Sequence, residues 1–473
     1  MVLRFKKLIR WTDVLHVVPM KSIIRQSVTV STLLYMVLTP AVAGTQSKTS
    51  TQRLERVAAL ISGNQLVEAE QQLNQVLRNA PNDATALNLF GTIRAKQGRL
   101  KEAEGFFLRA IHVDNGLIGA HMNLAYLYLL RGEPNRTAEQ LEKVLSLDPA
   151  NADAAYRLAW VFFSQGRFDD CIALLERLKE SQTLSAPALA VLGDAYLRKG
   201  NAIKAEANYL LALDAQNNNA DALLGLAELS QAKGDTTMAV AYVDHASNLA
   251  HSPELLYKVA RVGLNLNLKD QAVAALKQAV LLRPDEPSYH FALGTAWLKQ
   301  PPDLQGAEQS FRQFLKLKPD DVQGQLHLGY VLLKQKKQAD ARTWLLKSVG
   351  NGVGTPEAFY YLGLIAQAEN EDAEAIQLFQ KSVQLAPSFS SAHVALGSAY
   401  LKLKDYARAQ QSLEAGVRLS PDDSKAHYNL ALLYARLKNP EKAQEEMRIV
   451  ESLKRQGKEP QDESGSLAPP PPR

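Results

Sequence analysis

An all-α fold of stacked helical hairpins is what this 473-residue sequence predicts, on three observations. Small residues recur every 34 positions, as at Gly91, Ala125, Ala159, Gly193 and Ala227. Apolar residues between them are spaced by three and four, the period of a helix with one buried face. Leu396, Ala399, Tyr400 and Leu403 form one such stripe, and Ala409, Leu413 and Val417 form the next. Pro81, Pro149, Pro284, Pro319, Pro387 and Pro421 stand at the ends of the unit, where a residue without an amide donor stops a helix. The chain is too long for one ordinary core, so a repetitive array or several domains must divide it. Its 46% hydrophobic content excludes a wholly disordered polymer.

Residues 1–43 read as a secretory signal. Arg4, Lys6, Lys7, Arg10, Lys21 and Arg25 precede an uncharged, mostly apolar run that closes on Ala41-Val42-Ala43, the order of basic region, apolar region and small-residue cleavage site. The long basic region leaves Met20 as a second candidate start. An uncleaved membrane anchor and an organellar transit peptide are the alternatives. This segment accounts for the whole formal net charge of +5, so what remains is neutral and bulk attraction to nucleic acid is excluded. A linker over 44–50 leads to the array.

The array is expected over 51–455. A degenerate opening unit at Ala69, Leu73, Val76 and Pro81 brings the count to about twelve hairpins. The small column of the first helices runs on through Ala260, Gly294, Gly329, Gly363, Gly397 and Ala431, with a one-residue deletion and a one-residue insertion on the way. A second small column holds Ala103, Thr137, Cys171, Ala205, Ala239, Ala272, Ala307, Ala341, Ala375, Ala409 and Ala443. Both predict helices that cross closely, so that large neighbours interdigitate. Those neighbours include Phe107, Leu141, Leu175, Tyr209, Val243, Leu276, Phe311, Leu345, Phe379, Leu413 and Met447. Cys171, the one cysteine, falls in the second small column and reads as a packing residue. No disulfide can form within the chain.

These columns resemble the tetratricopeptide repeat family, a 34-residue helical hairpin with small residues at its crossing and a terminal proline. The resemblance implies a right-handed α-solenoid, a superhelix whose inner wall is made of first helices. Several positions depart from the family pattern. The column where tryptophan is expected holds Leu87, Ala155, Leu189, Leu223, His290, Gln325, Phe359, His393 and His427. Gly98, Gly132, Gly166, Gly200 and Gly234 supply a left-handed cap between helices, but Asn267, Lys336, Asn370, Lys404 and Lys438 take that place later. Lysine there costs about 1 kcal/mol, so tighter turns are expected in the first half than in the second. The links "KQPPDLQG" at 299–306 and "GNGVG" at 350–354 are the most irregular. In the last helix Met447, Val450 and Leu453 are expected to face inward and close the array. Residues 456–473 are polar and proline-rich and read as a disordered tail.

No catalytic constellation, cofactor motif or metal-ligand spacing is present. His290, His393 and His427 lie in different repeats, in a packing column. The chain therefore reads as a non-enzyme that binds proteins or extended peptides. Candidate binding residues share one face of successive first helices: Asn88, then Asn123 and Tyr126, then Tyr156, Arg157 and Trp160. Rings beside amide and guanidinium groups suit an extended peptide, since the ring buries apolar surface while the polar groups meet backbone or carboxylate oxygens. The same rings would also serve as packing between repeats. Chaperone-binding members of the family clamp a carboxylate from such places. Asn123 and Arg157 match two of them, while Thr92 and Asp153 replace an asparagine and a lysine. The asparagine ladder of the sugar-transferring members is replaced by Val191, Gly225, Lys258 and Ala292. Two function classes remain: a periplasmic or extracellular scaffold in an assembly or export system, and an accessory subunit that recruits substrates for a separate enzyme such as a glycosyltransferase. A membrane-anchored scaffold follows if the N-terminal segment stays uncleaved.

Overall fold

The computed structural model describes residues 48–350 and 354–456, and every regular element in it is a helix. The signal segment, most of the "GNGVG" link and residues 457–473 lie outside the described residues. The chain divides into two units at Val262/Gly263. The first contains α1 (Lys48–Ser62), α2 (Leu66–Asn79), α3 (Ala84–Lys96), α4 (Leu100–Val113), α5 (Ile118–Arg131), α6 (Pro134–Leu147) and α7 (Ala152–Ser164). It continues with α8 (Phe168–Ser181), α9 (Ala186–Arg198), α10 (Ala202–Ala215), α11 (Ala220–Lys233), α12 (Thr236–Leu249) and most of α13 (Pro253–Asn265). The second holds α14 (Lys269–Leu282), α15 (Pro287–Trp297), α16 (Leu304–Leu317), α17 (Val322–Lys334), α18 (Gln338–Val349) and α19 (Pro356–Ala368). Its last members are α20 (Asp372–Leu385), α21 (Ser390–Lys402), α22 (Tyr406–Leu419), α23 (Ser424–Arg436) and α24 (Pro440–Arg455). Within each unit the hairpins pack one on the next, the α-solenoid arrangement. Helix α1 begins at Lys48, inside the stretch read as a linker.

The two small columns lie where the helices of a hairpin meet. Ala103, Cys171, Ala205, Ala239, Ala272, Ala307, Ala341, Ala375 and Ala409 have no exposed surface. A Cβ added at Gly363 would stand 2.5 Å from the Phe379 ring, so the first helix can approach its partner only with glycine there. Burial pushes the Cys171 thiol up to about 12, which leaves it protonated and inert. First helices start on side-chain caps: Asp83, Asn151, Asn219, Asp321 and Asp423 accept from backbone amides two or three residues on.

Three expectations need correction. The turns do not loosen in the second half. Lys336, Lys404 and Lys438 adopt φ of 62°, 63° and 58°, the left-handed turn that Gly98 and its counterparts adopt at 71–86°. The hydrogen bond back into the helix fixes the turn, and the lysine accepts the strain. Second, the tryptophan-like column does more than pack. His290, His393 and His427 donate from Nε2 to the carbonyls of Pro284, Pro387 and Pro421 at 2.8, 3.0 and 3.0 Å, and Gln325 donates from Nε2 to Pro319 at 2.8 Å. Each side chain reaches back six residues to a carbonyl in the turn between repeats. Third, Val450 and Leu453 on α24 are buried as expected, but Met447 is 38% exposed and does not face inward with them.

Candidate functional site

The candidate residues lie on first helices of unit 1, and the structure separates them into two groups. Asn88 and Asn123 are buried and bonded to each other, with Asn123 Nδ2 donating to Asn88 Oδ1 at 3.0 Å and Thr92 Oγ1 at 3.4 Å. Tyr126 is buried too. Its hydroxyl donates to Asp153 Oδ2 at 2.8 Å, and Arg157 lies over its ring at 4.3 Å. Burial raises the Tyr126 hydroxyl far above the usual tyrosine range. These three residues join α3, α5 and α7 rather than face a ligand.

Tyr156, Arg157 and Trp160 form the second group. All three are half-buried on α7, with both rings resting against the core. Arg157 Nε donates to both oxygens of Asp153, at 3.0 and 2.9 Å, so its guanidinium is already paired on one side. Asp153, which stands where the family clamp has lysine, therefore fixes the arginine.

Beyond α7, charged side chains of successive first helices are drawn together. Lys258 Nζ on α13 donates to Asp221 Oδ1 on α11 at 2.6 Å. The attraction of Lys258 lowers the Asp221 carboxyl, and Asp221 in turn raises Lys258. Both side chains stay accessible, at 46% and 41%. Tyr156, whose hydroxyl burial pushes up, also senses the charges of Asp221 and Lys258 from two and three first helices away. Asp194 on α9 accepts from the Tyr209 hydroxyl at 2.6 Å. Desolvation, with Asp221 and Glu228 nearby, pushes its carboxyl up to about 6, against the opposing effects of Tyr209 and Lys258. The face thus offers two half-buried rings, two internally paired cations and a carboxylate poised near neutrality. Asp221 and Lys258 were missed as site residues because they lie two and three repeats away from the aromatic positions.

Among the described residues no group of three or more potential ligands could hold a metal, and no helix is long and apolar enough to cross a membrane. Profiles described as Tetratricopeptide repeat match residues 55–116, 128–194, 186–219, 260–312, 302–354, 357–388 and 394–451. The chain belongs to the tetratricopeptide repeat family.

Among curated proteins, this tetratricopeptide repeat chain is 25% identical over 282 residues to Protein O-mannosyl-transferase TMTC3 of Homo sapiens, covering 58% of this chain and 30% of that one. It is 26% identical over 234 residues to Cellulose synthase operon protein C of Xanthomonas axonopodis pv. citri, covering 39% and 16%. The matched part thus spans under a third of either relative. Among solved structures, a tetratricopeptide repeat protein from Parabacteroides merdae is 19% identical, with a TM-score of 0.45 over 53% of this chain and 99% of its own. Tetratricopeptide repeats of this kind point to a protein-binding scaffold.

Proposed function

We propose that this chain is a non-catalytic scaffold that holds an extended peptide segment of a partner protein on the first-helix face of unit 1, and that it works after export to the periplasm or the exterior. One observation carries the binding reading: Tyr156 and Trp160 stay half-exposed on a face where neighbouring charges are already paired or desolvated. Burying those rings against a peptide would add apolar contact without breaking an ion pair. Asn88, Asn123 and Tyr126 support the face from beneath. The charge order before Ser27 and the Ala41-Val42-Ala43 ending support export.

A second reading has support from the printed names of two relatives, an O-mannosyl-transferase and a cellulose synthase operon protein. In that reading the partner is a glycosyl-transferring enzyme and the scaffold recruits its substrate. Affinity capture with wild type and Trp160→Ala, identified by mass spectrometry, tests both. Removing the ring should reduce capture by a central contact of about 1–3 kcal/mol while melting changes little. Equal loss of stability and capture would return Trp160 to the core. Sequencing the N-terminus of the mature protein tests export: a start near Gly44 supports cleavage, and an intact Met1 or Met20 in the membrane fraction refutes it.

A further inference from the structure

The α23–α24 hairpin shows what the hairpins before it in unit 2 hide. Tyr428, Leu432 and Ala435 form an exposed stripe on α23, at i, i+4 and i+7. Beside it an open cavity of about 540 Å³ is lined by Ala431, Leu432, Ala435, Ala443 and Met447, with Gln444, Arg448 and Glu451 as its polar edge. Repeat positions show how unusual this is. Leu276, Phe311, Leu345, Phe379 and Leu413 occupy the place of Met447 in earlier repeats and are 0% exposed, against 38% for Met447. Val394 occupies the place of Tyr428 and is 3% exposed, against 46%. Residues 457–473 carry one large aliphatic side chain, Leu467, and no aromatic.

We infer that a second copy of this chain packs face to face on the α23–α24 surface and forms a closed dimer. Charge selects this occupant. Arg448 and Glu451 lie three residues apart on one face of α24, with opposite signs. When two such helices meet antiparallel about a two-fold axis between these positions, Arg448 of each copy stands opposite Glu451 of the other. Gln444 then stands opposite Arg455 by the same geometry. A self-complementary patch is what a two-fold contact requires. Glu451 now meets Arg455 at 3.4 Å, an exposed contact of little strength that the dimer replaces. Head-to-tail growth lacks an apolar counterpart, because the outer face of α1 presents Gln52, Arg53, Glu55 and Arg56.

Sedimentation of the full chain from about 1 to 100 µM, a range that brackets micromolar dissociation, tests the inference. Wild type should pass from monomer to dimer. Arg448→Glu and Glu451→Arg should each weaken association by about tenfold or more, because each sets like charges opposite one another twice. The double exchange, Arg448→Glu with Glu451→Arg, should restore it, and Met447→Glu should abolish it. All three positions are exposed, so unchanged circular dichroism melts are expected alongside. A wild type that stays monomeric throughout overturns the inference. So does a double exchange as weak as the single variants, or a dimer indifferent to Met447→Glu. A chain stopped after Gln456 that dimerises while the full chain does not would show that residues 457–473 cover the surface instead.

Discussion

Gly225→Ala tests the packing argument at the place where two opposing effects differ in sign. In an ordinary helix this change stabilises by about 1 kcal/mol, because alanine has less backbone freedom to lose. Here the new methyl would stand 2.3 Å from Tyr209 Cζ and 2.6 and 2.7 Å from Cε1 and Cε2. The ring cannot retreat, for a Cβ at Gly193 on α9 would lie 2.6 Å from the same Cε1. Tyr209 is fully buried between the two glycines, and moving it also pulls its hydroxyl from Asp194. Overpacking costs about 1–3 kcal/mol and loss of a hydrogen bond to a charged group about 1–2 more, so the net loss is about 1–4 kcal/mol. Gly105, exposed on α4 with nothing within 4 Å of its added Cβ, is the control and should gain about 0.5–1 kcal/mol as alanine. Because neighbouring repeats unfold unevenly, urea melts should be paired with hydrogen exchange over α9 to α11. Adding Tyr209→Leu, which removes the Cζ, Cε1 and Cε2 atoms that meet the new methyl, should recover part of the loss. If Gly225→Ala stabilises like Gly105→Ala, the close-approach argument is wrong.

Two further outcomes follow from strained or desolvated groups. The folded Asp194 carboxyl lies near 6, above the 3.8 of an ordinary aspartate. The folded chain therefore holds a proton that the unfolded chain releases, and stability falls as pH rises from about 4 through 6. Asp194→Asn keeps an acceptor for Tyr209 and should gain on wild type by about 1–3 kcal/mol between pH 4 and 7 in urea unfolding; a difference that ignores pH refutes it. Lys404→Gly relieves a left-handed lysine at φ 63° and should stabilise unit 2 by up to about 1 kcal/mol in thermal melts, whereas a loss would mean that the lysine stem packs usefully.

The hairpins were legible because their signal repeats: a place that must be small in one hairpin is small in nearly all of them, and eleven copies outweigh any local irregularity. Individual places within a column were not legible in the same way. Tyr126 and Trp160 stand in one column, yet Tyr126 is buried because Asp153 and Arg157 close over it, a contact that depends on side chains from the next first helix. The groove charges were visible as residue types, but their pairing was not, since Lys258 and Asp221 are 37 residues apart. The histidine column resembled packing because the partners its Nε2 atoms share are backbone carbonyls, which leave no mark in sequence. Met447 looked inward because the column predicts where a side chain points and not whether anything lies beyond it.

The same histidine column bears on how unit 2 would yield under load. The turns at Pro319–Asp321 and Pro421–Asp423 are each pinned twice, once by the aspartate that caps the next helix and once by Gln325 or His427 gripping the proline carbonyl. A connector held at both points cannot act as a free hinge. When a partner tugs on this part of the molecule, the softer degrees of freedom are small slides of one packed helix along another, repeated from hairpin to hairpin. At these two turns unit 2 should thus respond as a spring whose compliance is spread along the packed helices on either side.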